Sequence, residues 1–306
     1  MSAITYPEAV VIGALQGVTE LFPISSLGHS VLIPAIIGGR WMRDLSVSSP
    51  ESPYLSFIVG LHVATALALL VLFRRDWVRI IGGFFTSIRR RSITTADERL
   101  AWLVIVATVP VGLTGLLLEH TFRTTLGKPT PAAIFLFLNG LVLLAGERLR
   151  RRADVPVEER QLVAVGAPER ASSPIRVDTQ LARMSWGRAF TTGAAQSLAL
   201  LPGVSRSGVT MVAGLAQGLT HEEAVRLSFL LATPVIFAAG VLKLPDLAGP
   251  LGSGIHGQIL AGSVAAFVCA YFAGRFLTRW FETRTLTPFA IYCLLAGPLA
   301  LLLVNR

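Results

Sequence analysis

A chain of 306 residues that is 53% hydrophobic, only 15% charged and net +9 is not composed like an ordinary soluble domain, where about a quarter of residues carry charge. Its mean hydropathy of +0.64, with apolar runs near the ~20 residues needed to cross a bilayer, marks an integral membrane protein. The placement of the positive charge argues against nucleic acid. All but two of the 27 basic residues are arginine, and they cluster in connections between apolar runs.

Taken in chain order, the N-terminus lacks the basic n-region of a cleavable signal peptide, so residues 1–38 are expected to belong to the fold. The apolar stretch 8–38 is interrupted by proline, glycine and polar residues. Spanning helices are predicted over 56–73, 101–118 and 131–147. Arg74, Arg75, Arg79, Arg89, Arg90 and Arg91 occupy the connection after the first, and Arg148, Arg150, Arg151 and Arg152 open the connection after the third. The positive-inside rule puts both in the cytoplasm. Residues 148–188, rich in arginine, acids and proline, read as a solvated tether. A second interrupted stretch, 190–219, precedes spans over 226–244, 258–278 and 286–304. Cys269 and Cys293 lie inside spans with no neighbours at metal-ligand spacing, as small buried hydrophobes do.

The two interrupted stretches echo each other. Gly13-Ala14-Leu15-Gln16 matches Gly193-Ala194-Ala195-Gln196, Pro23 with Ser26 matches Pro202 with Ser205, and Gly28 matches Gly208. The expected fold is therefore an all-α polytopic bundle with an inverted-topology repeat. Residues 1–150 and 188–306 form the halves, 151–187 the cytoplasmic linker, and each half has one re-entrant hairpin and three spans. The re-entrant reading also leaves Arg275, Arg279 and Arg284 in the cytoplasm. About ten helical residues on each side of a break rise ~15 Å, enough to reach mid-bilayer and return. Hairpins entering from opposite faces would bring the two breaks together, as in inverted repeats that bind at the midplane.

The chemistry concentrates at those breaks. In Leu201-Pro202-Gly203-Val204-Ser205-Arg206-Ser207-Gly208-Val209-Thr210, Arg206 is an expensive charge at membrane depth, which points to a functional site. Its planar fork suits a phosphoryl group. Ser205, Ser207 and Thr210 can donate to phosphate oxygens, and Gly203 and Gly208 permit tight turns. The first stretch offers Gln16 and Glu20 on one helical face, then Ser25, Ser26 and His29. Glu20 could ligate a divalent cation or orient His29. His29 has the pKa range of a general acid or base. Ser26 is a candidate nucleophile or phosphate donor. His62 is expected to pack between helices, and Glu119, His120, Glu147, His221 and His256 to be interfacial polar residues.

These motifs, with Phe289-Ala290-Ile291-Tyr292 in the last span, resemble the bacterial undecaprenyl-diphosphate phosphatase, or bacitracin resistance, family along essentially the whole chain. The resemblance implies a multi-pass enzyme of the bacterial plasma membrane that hydrolyses undecaprenyl diphosphate to undecaprenyl phosphate and inorganic phosphate. Such an enzyme recycles the lipid carrier of cell-wall synthesis and counters bacitracin. It implies Glu20, Ser26, His29 and Arg206 as catalytic residues. Ser25, Gly203, Ser205, Ser207, Gly208 and Thr210 would surround the phosphate, in a site opening to the outer face. A divalent cation, Mg2+, would support activity, with Glu20 as ligand and Gln16 its neutral neighbour, at a position where members carry either Glu or Gln. Many members have Gln in place of His62. Two readings compete. A lipid-phosphate transporter or flippase would use the same inverted repeat, whereas a non-catalytic scaffold leaves Arg206 unexplained. The sequence is compatible with a homo-oligomer.

Overall fold

The computed structural model describes residues 4–45, 53–152, 174–242, 249 and 254–306, and no strand occurs among them. The first interrupted stretch forms α1 (Tyr6–Leu21) and α2 (Ser26–Ile37), followed by a short α3 (Gly39–Asp44). Three long helices, α4 (Pro53–Leu72), α6 (Ala96–Leu126) and α7 (Pro129–Arg152), cover the predicted spans of the first half, with α5 (Arg74–Arg90) between them. After α8 (Pro174–Leu181), the second interrupted stretch gives α9 (Trp186–Ala195), a 3₁₀ segment (Gln196–Leu200) and α10 (Arg206–Ala216). Finally α11 (His221–Leu242), α12 (His256–Thr283) and α13 (Thr287–Val304) cover the last three predicted spans, with positions 243–244 outside the described residues.

Five of these helices are individually long and apolar enough to cross a bilayer, and α4 joined to α5 makes a sixth, bent candidate. Their outer faces carry large apolar side chains that a soluble protein would hide, such as Leu117 (76% exposed), Leu260 and Leu295. This periphery fits a multi-pass membrane protein. By contrast α1, α2, α9 and α10 have 16, 12, 10 and 11 residues, all shorter than a full span.

Local chemistry sets the breaks. A capping box starts α1, with the Thr5 N–H donating to Glu8 at 2.8 Å. Pro23, which lacks an N–H, follows its end. Ser25 caps α2 by accepting the Gly28 N–H at 3.2 Å, and Ser205 caps α10 by accepting the Gly208 N–H at the same distance. The sequence matched Ser26 with Ser205 through the prolines. The caps set a different register, in which Ser25 corresponds to Ser205 and Ser26 to Arg206. Ser26 and Arg206 are thus each the first residue of a helix after a break.

Glycines set how the elements pack. α1 lies against α12, where a side chain on Gly13 would collide with the Gly262 carbonyl and one on Gly17 with the Ala266 carbonyl. Likewise α9 lies against α6, where a side chain on Gly193 would strike the Ala107 carbonyl. Small residues at such contacts let membrane helices approach closely. α7 packs on α13, and α4 on both α11 and α12.

Two expectations change. The arginine-rich connection after α4 is itself a helix, α5, turned 88° from α4. One face exposes Val78 and Phe85, while Gly83 sits against the start of α6. The tether is also partly built. Residues 153–173 lie outside the described residues, but Val177, Leu181 and Met184 are buried against α6 and α11. Asp178, 1% exposed, accepts from Arg79 at 2.7 Å and from both Arg226 Nε and Nη2, at 3.0 and 3.1 Å. Asp76 pairs with both arginines at 2.9 Å, and Asp97 with Arg79. Composition alone missed this network because Asp178 draws its partners from two other helices, α5 and α11.

Candidate functional site

The two breaks touch. Ser25 Oγ, besides capping its own helix, accepts the Gly203 N–H at 3.2 Å. A side chain on Gly28 would stand 2.9 Å from Gly203 Cα, and Gly203 itself has φ +108°, which favours glycine. Ser205 and Ser207 donate to the Phe22 carbonyl at 3.4 and 3.2 Å. Asn139 of α7, wholly buried, ties the arrangement together. Its Nδ2 donates to the Pro23 carbonyl and its Oδ1 accepts the Ser205 N–H, both at 3.0 Å. Backbone groups freed by the helix breaks are thus satisfied by the opposite break and by one amide.

Beside this junction is a cavity of about 270 Å³. Its polar wall is Glu20, Ser25, Ser26, His62, Gln196, Ser205 and Arg206, and its apolar wall includes Ile58, Val111, Leu200, Val235 and Ile236. Glu20, 7% exposed, is the electrostatic centre. The Ser26 hydroxyl donates to it through a short hydrogen bond, Arg206 Nη2 at 3.0 Å and Gln16 Nε2 at 3.0 Å. His62 Nε2 lies 3.6 Å from the same carboxylate. Glu20 and Arg206 therefore form an ion pair across the two breaks, yet it leaves capacity over. Among the described residues, Arg206 Nη1 and Gln16 Oε1 are buried without a hydrogen-bond partner.

The two histidines differ from expectation. His62 lines the cavity instead of packing between helices. Its Nδ1 lies 2.9 Å from the Ile58 carbonyl, an acceptor only, so the proton sits there and Nε2 faces Gln16 and Glu20. His29 is turned away from the cavity. Its Nδ1–H donates to the Ser25 carbonyl at 2.7 Å, its Nε2 accepts from the Tyr292 hydroxyl at 2.7 Å, and the two rings stack.

Among the other predicted phosphate-binding residues, Ser25 and Ser205 line the cavity, while Gly203, Ser207, Gly208 and Thr210 stand behind its wall. The Thr210 hydroxyl donates back to the Arg206 carbonyl at 2.7 Å, and Gly208 lies against Leu143. Glu147 and His221, expected at the interface, pair at 2.9 Å away from this cavity, with Glu147 buried and His221 partly exposed. The side chain of Glu119 lies outside the described residues. Sequence reasoning did not single out Asn139 or Tyr292 as contributors. A lone amide in the span 131–147 was the available signal for the first.

A Mg2+ ion takes one or two carboxylates and completes its shell with water and substrate phosphate oxygens. Among the described residues no three His, Cys, Asp or Glu side chains are grouped to hold a metal. The Glu20 carboxylate and the unpartnered Gln16 Oε1 fit only that minimal kind of site, completed by a phosphate ligand.

Comparison with known proteins bears on the whole chain. Residues 9–299 match the family described as bacitracin resistance protein BacA. An undecaprenyl-diphosphatase of Mycolicibacterium paratuberculosis is 66% identical, over 96% of this chain and 95% of its own. One from Frankia casuarinae is 52% identical over 98% of each chain, and one from Chromobacterium violaceum 44% identical over 96% of this chain and 97% of its own.

Proposed function

The chain belongs to the bacitracin resistance protein BacA family, and from that premise we propose that it hydrolyses undecaprenyl diphosphate to undecaprenyl phosphate and inorganic phosphate. The observation that carries the site assignment is Ser26, Glu20 and Arg206 meeting at one cavity from two breaks. Both helix N-termini, at Ser26 and Arg206, adjoin that cavity, a setting that favours an anion. No observation favours the transporter reading.

In this reading Arg206 holds the terminal phosphoryl group, with Ser25 and Ser205 beside it. The Ser26 oxygen attacks the terminal phosphorus while its proton passes to Glu20. The bond from that phosphorus to the bridging oxygen breaks, and undecaprenyl phosphate leaves with the electron pair. Water then attacks the phosphoserine phosphorus, Glu20 returns its proton to the departing Ser26 oxygen, and both water hydrogens leave with the inorganic phosphate. Charge building on the phosphoryl oxygens is met by Arg206 in a water-poor pocket, where such stabilisation is largest. His29 acts as a positioning residue, since it grips the Ser25 carbonyl and so fixes the turn that presents Ser26. Glu20 and Gln16 would hold a Mg2+ ion, which supplies neutralisation of phosphate charge when bound.

The architecture is proposed as the inverted repeat expected from sequence, with 1–150 and 188–306 as halves and the two broken stretches re-entrant. Its support is reciprocal packing: α1 rests on α12 through Gly13, as α9 rests on α6 through Gly193. The arginine clusters are assigned to the cytoplasm and the cavity mouth to the outer face. We further place the prenyl chain along the apolar wall toward the lipid.

Brief reaction with ³²P-labelled undecaprenyl diphosphate followed by acid quench tests the serine route. Label should be retained on Ser26 in the native protein and lost in Ser26→Ala. Turnover by Ser26→Ala at more than a tenth of the native rate would instead assign the attack to water.

A further inference from the structure

We propose that Gln196 is a substrate-binding residue, its side-chain amide contacting phosphate oxygens of the lipid diphosphate; this rests on the phosphatase reading above. Gln196 is 1% exposed and lines the cavity, yet neither its Nε2 nor its Oε1 has a hydrogen-bond partner among the described residues. A buried amide with both ends unsatisfied is costly, and native proteins keep few of them. Its neighbours do not let it move off. Gly193, one turn earlier, is pressed against the Ala107 backbone, and Ser197, the next residue, bonds through Oγ to the Thr114 hydroxyl at 2.7 Å. The tight 3₁₀ segment that opens at Gln196 holds the side chain at the cavity wall.

Chemistry identifies the ligand. The two N–H donors of Nε2 suit phosphoryl oxygens, and the cavity holds a second buried donor with no partner among the described residues, Arg206 Nη1. One donor group is charged and one neutral, on segments either side of the same break. A ligand with two phosphoryl groups uses both, whereas a single phosphoryl group is already served by Arg206, Ser26 and Ser205. Gln16 stands at the matching place in the first stretch; it bonds Glu20 from behind the cavity wall and has a spare amide oxygen among the described residues. The repeat has thus delivered an amide from each half. Being neutral, Gln196 adds little to the stabilisation of developing charge, so its removal acts on binding before it acts on rate.

The test uses the full-length protein in detergent with Gln196→Leu, which keeps the bulk, and Gln196→Glu, which keeps the shape and adds a repelling charge. Phosphate release gives KM and kcat, and a methylene-bridged, non-hydrolysable analogue of the lipid diphosphate gives affinity directly. Gln196→Leu should raise KM and weaken analogue binding about tenfold with kcat within threefold, the effect of losing one uncharged hydrogen bond. Gln196→Glu should weaken binding further at an unchanged melting temperature, and it decides the matter if the leucine variant does not fold. KM and analogue affinity within twofold of native in the folded variants would overturn the assignment while leaving the phosphatase reading standing. Failure of the native protein both to release phosphate and to bind the analogue would overturn both.

Discussion

Asn139→Leu isolates how the two breaks are joined. The substitution keeps roughly the same volume but removes the amide that donates to the Pro23 carbonyl and accepts the Ser205 N–H. Two magnitudes compete. Side-chain hydrogen bonds between membrane helices average only ~0.6 kcal/mol, because the unfolded reference in the membrane finds other partners. A buried backbone group left unsatisfied costs about 1–3 kcal/mol. Here the groups lie at helix breaks, where no i→i−4 partner can replace the amide, so the second magnitude governs. With one carbonyl and one N–H orphaned, about 2–6 kcal/mol is expected. Ser205 caps the helix that Arg206 opens, so the loss should also blur the clamp and lower kcat at least tenfold. Unfolding in detergent, followed by tryptophan fluorescence, gives the stability term, and phosphate release gives the rate. A variant within 0.5 kcal/mol of native and at full turnover would refute the idea that Asn139 couples the breaks.

Two further predictions test the clamp and the ion network. Arg206→Lys keeps the charge but loses the fork that reaches Glu20 with one nitrogen while the other has no partner among the described residues. kcat for phosphate release should fall by about 10²–10³, the scale seen when one preorganised donor is removed, and a loss below threefold would reassign the clamp. Asp178→Ala removes a buried carboxylate from between Arg79 and Arg226. Because Asp76 still pairs with both arginines, about 2–3 kcal/mol should be lost, at or below the low end for breaking a buried pair. The double variant Asp178→Ala/Arg226→Leu should recover part of that loss in melting temperature; no recovery would mean the network is not what holds α8 down.

What the sequence made legible was whatever disturbs an apolar run. Glu20, Ser26 and Arg206 stand out because charge and hydroxyls at membrane depth have few innocent explanations, and the structure brings all three to one cavity. The six long helices followed from run length alone. Less visible was anything that depends on which face of a helix looks inward. His62 and Tyr292 sit in evenly apolar helices, where periodicity gives no azimuth, so one was assigned to packing and the other passed over as a contributor. Asp178 was concealed differently: in a segment rich in arginine and acids a carboxylate looks solvated, and its partners lie on α5 and α11, far away in sequence.

The packing of α1 has a consequence for biogenesis. The face carrying Gly13 and Gly17 is cut to fit α12, which is made only after residue 255 has been synthesised, and Glu20 finds its guanidinium only when residue 206 has entered. A nascent chain therefore carries an ungreased helix face and an unmatched carboxylate through most of its translation. Something must shelter them meanwhile, whether an insertase, surrounding lipid or delayed entry of α1 itself. Ribosome-bound fragments ending before residue 256 should remain open to cleavage within α1, and this lipid-carrier hydrolase would be silent until its last helices arrive.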